Sequence, residues 1–316
     1  MPTNFTDFSN ITYCGKEAQD IFSKDIYSLD LRNAGITFMD GVKGKQKIYT
    51  GEIGDAWQLY SCPFSPQGSA SLAEAYIEPA AIKVNMENCY DQWWPTYLVE
   101  QTEISLRGGI PQTFGDWFFN KLREKMSREY SEIFFKGDVS YSGSTKQYLK
   151  AVDGIEKKLS NIPASNQIAV TAFTVSNILA QVEGAIQKAL DLANAAEVDT
   201  SSYKVLMNYA DVQMLKMALG NMCCPNNQSI FSNYAMGADG GVIIYGFNVI
   251  PTMQSRNTII VGDPRNLVLG YDTFDSHLEY KLIDMRETTG DNAFRVLAIS
   301  NIAVGIVFPE GFVYVS

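Results

Sequence analysis

Histidine is almost missing from this chain: among 316 residues there is one, His277. It falls on the polar side of an alternating stretch, where a solvent-facing strand residue is the plain reading. A single imidazole leaves no material for a His-rich metal site and little for a His-based triad. Cysteine is also sparse. The five thiols at Cys14, Cys62, Cys89, Cys223 and Cys224 are odd in number and form no CxxC pair. Neither a zinc ribbon nor a disulfide framework is indicated, and free thiols in a reducing compartment are expected. The vicinal Cys223–Cys224 pair could bind a soft metal or oxidise, but no His or further Cys stands near it in sequence. Basic charge is in deficit: 25 Lys and Arg against 35 Asp and Glu give a net charge of −10. Proteins that grip nucleic acid by its phosphates concentrate Lys and Arg, so this class is disfavoured. No run of about 18 apolar residues exists, so no membrane span is expected. MPTNFTDFSN has neither the basic start nor the apolar run of a signal peptide. GxSxG, HExxH, P-loop and dinucleotide patterns are all absent. GADGG at 237–241 lacks the Lys-Ser/Thr and the helix that a phosphate cradle needs. Asp263, Asp272, Asp275 and Glu279 do not follow the spacing of a calcium loop and are expected on a solvated edge. No catalytic, cofactor-binding or metal-binding residue is therefore assigned, and no cofactor. A chain of this size with long amphipathic elements and no reactive cluster is expected to make surfaces.

What the chain does hold is 46% hydrophobic content, enough for a core in one elaborated domain or two. Its organising stretch is Gln112 to Gly137. Phe114, Phe118, Leu122, Met126, Tyr130 and Phe134 recur every four residues, widened by Trp117 and Ile133, which is one face of a sustained helix. Lys121, Arg123, Glu124, Lys125, Arg128, Glu129 and Glu132 occupy the other faces, close enough to pair. Thr113 caps the start with Asp116 in the first turn, and Gly137 is expected to stop the helix in a left-handed conformation. Such a helix is roughly 37 Å long. By itself it reads as a core helix, or as the spine of something larger.

Around it the chain falls into segments. Residues 1–13 are polar with isolated Phe5, Phe8 and Tyr13, which suits an arm that orders against something else or a frayed end. Gly15 to Leu29 has the stripe of a short helix. From Lys47 to Cys89 the period becomes two: Ile53, Trp57 and Leu59 alternate with polar neighbours, as do Ile82, Val84 and Met86 later. Between them lies CPFSPQGSAS, turn chemistry. The reading is one long antiparallel hairpin over 46–92 with a broad tip near Gly68, which would set Cys62 across from Ala75. A two-stranded ribbon is marginal alone, so Trp57, Leu59 and Phe64 ask for a covering surface. Tyr90 to Gly109 carries Trp93, Trp94 and Pro95, a short apolar piece and a Gly-Gly break. Beyond Gly137 come a loop, a short helix and a boundary at Ile162–Ala164. A second strong helix begins at Thr174, followed by a strand at Tyr203–Asn208 and a helix at Asp211–Leu219, a small α/β lobe. Residues 241–253 and 257–261 read as strands, broken at Gly246. Leu278, Tyr280 and Leu282 mark another strand, and the last stretch is β-rich and apolar.

This order of elements, with a spine ending in Phe-Lys-Gly-Asp and the phrases YGFNVIP, NTIIVGDPRNL and VFPEGFVYV, resembles the major capsid proteins of tailed bacteriophages with the Hong Kong 97 fold. CPFSPQGS and YCGKEAQDIF resemble the capsid proteins of crAss-like gut phages. The resemblance implies an α+β fold: an N-terminal arm and short helix (1–45), an extended hairpin (46–92), and a peripheral domain (93–161 and 251–316) with its spine helix at 112–137. An α/β axial domain (162–250) completes it. It implies a virion protein, assembled in the host cytoplasm, that forms pentamers and hexamers of an icosahedral shell around double-stranded DNA, without sequence-specific binding and without a membrane. Inter-subunit contacts would fall on Phe5, Phe8, Trp57, Leu59, Tyr60 and Phe64, and the spine core on Phe114, Phe118, Leu122, Met126, Tyr130 and Phe134. A portal is an implied partner. So are decoration proteins and, because the arm is short, a separate scaffold protein. Nothing marks a Lys–Asn crosslink, although Lys43, Lys45 and Lys47 sit near the hairpin base. The same fold also builds encapsulin-type compartments around a protein cargo, which sequence barely separates from a phage shell. An unseen thiol enzyme at Cys223 or Cys224 is the remaining alternative.

Overall fold

The computed structural model describes residues 11–14, 31–53, 57, 69–106, 113–169, 171–221, 234–236, 241–272, 279–286 and 289–316. Phe5, Phe8, the expected helix at 15–29, Leu59, Tyr60, Phe64, Cys62, Cys223–Cys224 and His277 lie outside them.

The first of the two larger hydrophobic cores among the described residues is built on a six-stranded sheet. Its path runs β1 (Ile11–Cys14), β13 (Glu279–Asp284), β14 (Ala293–Ile306), β12 (Leu267–Gly270) and β2 (Thr37–Met39), and β5 (Ala80–Cys89) pairs with β14 as well. Helices α1 (Leu31–Ala34), α2 (Tyr90–Leu106), α3 (Phe114–Lys136) and α4 (Ile155–Leu159) accompany it. The whole four-residue stripe on α3 is buried, from Phe114 through Phe118, Leu122, Met126 and Tyr130 to Phe134, with Trp117, Phe119, Ile133 and Phe135. Thr113 caps the helix reciprocally: its hydroxyl accepts from Asp116 N–H at 3.2 Å and donates to the Asp116 carboxylate at 2.7 Å. On the outer side Glu124–Arg128 and Lys125–Glu129 pair one turn apart.

The far end corrects the sequence. Gly137 is not left-handed; it has φ −53° and ψ 139°. Close approach is what requires glycine there. A Cβ would lie 2.1 Å from Val152 O, where the chain folds back and Gly154 N–H donates to Gly137 O at 2.8 Å.

Two further differences matter. The stretch 90–106 forms the continuous helix α2, with Pro95 inside it. Its rings interlock with α3 and β14: Trp93 meets Trp117 and Phe118, Tyr97 meets Phe114 and Trp117, and Tyr90, Phe114 and Phe118 all surround Phe294. Edge-to-face contacts of this kind add about 0.5–1.5 kcal/mol each beyond burial. The strand with Ile82, Val84 and Met86 is not the return strand of the hairpin. It is β5, paired antiparallel with β14 from Cys89↔Ala293 to Ala80↔Ile302. The hairpin is shorter than expected: among the described residues β3 (Gln46–Ile53) pairs only with β4 (Ala70–Ile77).

The second core lies on a seven-stranded sheet in the order β6 (Gln167–Ile168), β15 (Val313–Val315), β11 (Ile259–Gly262), β7 (Lys204–Asn208), β10 (Phe247–Thr252), β9 (Val242–Ile244) and β8 (Tyr234–Met236). Helices α5 (Ile178–Ala195) and α6 (Tyr209–Asn221) pack on it. Ile178, Val182, Ala185, Ile186, Ala189 and Ala193 form the buried stripe of α5; Leu190, expected on the same stripe, is only partly buried. The helix starts four residues after Thr174, whose N–H donates to the Asn177 carboxamide at 2.7 Å. The division drawn between 250 and 251 runs through β10, and β11 and β15 belong to this sheet too.

Pleat alternation divides these strands between the two cores. Val205 and Met207, Ile259 and Val261, and Val313 and Val315 face the second core. Leu206, Ile260 and Tyr314 face the first. The β15-β11-β7 part of the sheet is therefore covered on both faces, which explains its unbroken apolar runs. The two lobes share this apolar layer.

Candidate functional site

Among the described residues no group of three or more His, Cys, Asp or Glu could hold a metal ion. No described helix is long and apolar enough to cross a membrane. The acidic positions do not converge. Asp263 bonds Arg265 and, at 2.9 Å, Ser202. Asp272 is buried rather than on a solvated edge, and Asp275 lies outside the described residues.

Buried polar groups sit at the seam between the lobes and within each lobe beside it, and each has a structural task. The Glu156 carboxylate on α4 accepts from Ser255 N–H at 2.5 Å. Burial raises its pKa, against the lowering effect of the Ser255 hydrogen bonds and of Lys136. Lys204 on β7 donates to Ala34 O at 3.0 Å, at the end of α1. Lys158 donates to Val304 O at 2.7 Å, and burial pulls its pKa down. Asp211 is fully buried and accepts from Arg256 and from Asn257 N–H, holding the turn before β11. Asn257 has φ 61°, a left-handed conformation that Asn tolerates.

What is left open is surface, and among the described residues two elements expose several large apolar side chains each. The hairpin has one anchored face and one bare face. On the anchored face Ile77 is fully buried among Val42, Val268 and Ala303, with Ile48 against them. This socket exists because residue 305 is glycine; a Cβ there would meet Ile77 Cγ1 at 2.6 Å. On the other face the cross-strand pairs Lys47↔Tyr76, Tyr49↔Glu74 and Gly51↔Leu72 follow one another. Tyr49 and Leu72 are 56% and 65% exposed, and Trp57 beyond them is 97% exposed. The Lys47 ammonium bonds Glu74 at 2.7 Å, Tyr76 donates to the same carboxylate, and Lys45 and Lys47 both stand over the Tyr76 ring. Lys47 and Tyr76 hold the Glu74 carboxyl below its usual range. Of the expected contact residues, Trp57 alone can be placed, and it is exposed; the spine residues are all core. Sequence reasoning missed Tyr49, Leu72 and Tyr76. Their signal was the same period of two, read onto the wrong return strand.

The second open element is the outer side of α2. Leu98, Val99 and Leu106 are exposed there, with Pro95.

Neither a family model nor a curated protein matches the chain. Solved structures do. A chain of "Satellite phage P4 procapsid including size determination (Sid) protein" matches with a TM-score of 0.65 at 12% identity, over 98% of this chain and 93% of that one. A chain of "The capsid of Myoviridae Phage XM1" matches at TM-score 0.55 and 10% identity, over 100% of this chain and 96% of that one. One from "Capsid of native GTA particle computed with C5 symmetry" gives 0.54 and 10%, over 90% of this chain and 89% of that one. The mixed α+β architecture of this chain, nearly end to end, is the fold of phage capsid chains.

Proposed function

We propose that this chain is a major capsid protein of the Hong Kong 97 type, whose copies join as pentamers and hexamers into an icosahedral shell around double-stranded DNA. The observation that carries the reading is the hairpin: a ribbon with Tyr49, Leu72 and Trp57 exposed, rooted by a single buried edge, on a fold shared with capsid chains. A monomer gains nothing by holding such a surface in water, whereas a neighbour that covers it gains the burial. Many modest contacts of this kind sum to a stable closed assembly. The lobe of α1 to α4 is then the peripheral domain, the lobe of α5 and α6 the axial one, and Phe5 and Phe8, outside the described residues, belong to the proposed N-terminal arm. The net charge of −10 suits a wall that leaves packaged DNA free to move. Portal, scaffold and decoration proteins are the implied partners, and the virion the implied location. The nearness to crAss-like phages rests on sequence phrases alone.

The test is assembly of the purified chain, followed by electron microscopy and sedimentation. Closed shells are expected. Replacing residues 54–69 with a short turn joins Ile53 to Ala70 and keeps the β3–β4 ladder. That variant should melt like the parent but stop at soluble monomers or capsomers. Normal shells from the shortened chain would remove the tip with Trp57 from the reading; a parent that stays monomeric at every concentration would remove the reading itself.

A further inference from the structure

We infer that the cleft between helix α5 and the turn joining β9 to β10 binds a small organic cation, an alkylammonium with an apolar body. The inference goes beyond the shell reading and does not use it, because the cleft belongs to the second lobe of the single chain.

The cleft has a volume of about 810 Å³. Its floor is apolar: Ile186 of α5, Tyr203 before β7 and Phe247 of β10 line it and are buried. A space of this size, with an apolar floor and few polar groups, is in the range that takes a small molecule. Two local features hold it open, and each runs against the preference of its own element. Gly184 stands in the interior of α5 on its exposed side, where glycine weakens a helix relative to alanine. A Cβ there would meet no atom within 4 Å, so packing does not require the glycine; its missing side chain leaves the open space of the cleft. From the sheet side, Tyr245 with φ 49° and Gly246 with φ 86° make the two-residue turn that connects the antiparallel pair Ile244↔Phe247. Such a turn suits Asn, Asp or Gly at its first position, and a tyrosine in left-handed backbone is strained. That tyrosine lines the cleft, and its hydroxyl donates to the Glu183 carboxylate, beside Gly184, at 3.1 Å.

The lining selects the charge of the ligand. Among the described residues that line the cleft, Glu183 is charged and no Lys or Arg appears. The polar groups of the rim lean on further carboxylates: Gln187 donates to Asp191 at 3.1 Å, and Ser201 donates to Asp199 at 2.6 Å. The cations in the neighbourhood are engaged elsewhere. Lys188, next to Gln187 on α5, donates to Gln167 O at 2.9 Å, and Arg265, whose charge acts on Asp199, is paired with Asp263 at 2.7 Å. An anion in the cleft would be repelled. A bare metal ion is a poor match, since no three ligating side chains converge among the described residues. An alkylammonium suits both halves of the site. Its head meets a carboxylate, which can accept several hydrogen bonds at once, and a tyrosine ring on the same rim adds cation–π attraction. Its apolar body covers Ile186 and Phe247.

The experiment titrates the purified full chain with phenethylammonium by calorimetry at low salt, beside its neutral and anionic counterparts, phenethyl alcohol and hydrocinnamate. The cation is expected to bind about tenfold or more tighter than either, and to weaken as salt is added. Glu183→Gln should bring the cation down to the affinity of the alcohol. Gly184→Leu should abolish binding of the cation by filling the cleft. The same substitution should raise the melting temperature of the chain, because leucine is the better helix former. A more stable protein that no longer binds has lost the site and not the fold. Equal affinity for the three probes, cation binding that survives Gly184→Leu, or a parent chain that does not bind the cation would each overturn the site. All three leave the shell reading standing, since assembly is read separately by electron microscopy.

Discussion

Strand β7 and the ribbon of β3 and β4 are made of similar material and end in opposite states. In β7 the run Val205, Leu206, Met207 is fully buried, because odd and even positions each meet a core of their own. In the ribbon, Ile77 is as buried as any residue of β7, yet Leu72 and Tyr49 a few positions away stand in water. Side-chain type does not separate the two; the number of layers stacked on the strand does. Helices α3 and α2 repeat the contrast. One has an inner apolar face and an outer charged one, and the other has apolar side chains on both faces, of which one is packed and one exposed. The first member of each pair describes how this chain folds, and the second, on the proposed shell reading, where a neighbouring copy would cover it.

The largest expected effect tests whether the difference is real. Phe294 is fully buried and ringed by Tyr90, Phe114 and Phe118. Phe294→Ala should cost the unassembled chain about 3–5 kcal/mol in a denaturant melt. Leu72→Ala should move the same melt by no more than about 0.5 kcal/mol, its penalty appearing only in assembly. Equal costs would mean that the ribbon is part of the body and the contrast is false. Next in size is the root that joins the two. Gly305→Ala drives a Cβ into Ile77 and should cost about 1–3 kcal/mol through overpacking. Its readout is local: amide exchange in β3 and β4 should rise while β7 and β11 keep their protection. Uniform loss of protection would place the ribbon inside the cooperative body.

Legibility followed the same division. Where one element buries one face, the period alone was enough, as for the stripes of α3 and α5. Where burial is two-sided or distant, it was not. Helix α2 shows no helical period in the sequence because Trp93, Tyr97 and Gln101 point in while Val99 and Leu106 point out, and Pro95 reads as a break. Strand β5 alternates as well as any hairpin strand, but alternation names a face and not a partner, and its partner β14 begins at Ala293, some two hundred residues away. The Gly137 error has the same origin. A helix-ending glycine is most simply read as left-handed, whereas the demand comes from Val152 O, across a contact that the local sequence does not display. Of the candidate surface, Trp57 was legible as a large apolar residue on a ribbon; the Tyr49, Leu72 and Tyr76 face needed the register of β3 on β4.

The smallest effect sharpens the comparison at the seam, where a charge is held between two apolar cores. Burial raises the pKa of Glu156 from its ordinary value of 4.5, and the Ser255 hydrogen bonds and Lys136 do not offset it. The folded chain therefore holds this proton more tightly than the unfolded one. The stability contributed is fully present below pH 4.5 and is lost as pH rises through the higher folded value. Tyr314 across the seam does not confuse the window, since burial and then the Glu156 charge push it up to about 12. Asp284 has the opposite sign. Its burial is outweighed by Arg286, its pKa is lowered from 3.8, and its contribution is present above that value and lost as pH falls through the folded one. Glu156→Gln keeps an acceptor for Ser255 N–H and removes the titration. The variant and the parent should melt alike near pH 4, and the variant should gain as pH rises, reaching a plateau of about 1 kcal/mol or less near neutrality. A difference between the two that is the same at pH 4 and pH 8 would show that water reaches the carboxylate. The seam would then resemble the ribbon face more than the doubly covered sheet, and the lobes would be free to move against each other where the apolar layer now holds them together.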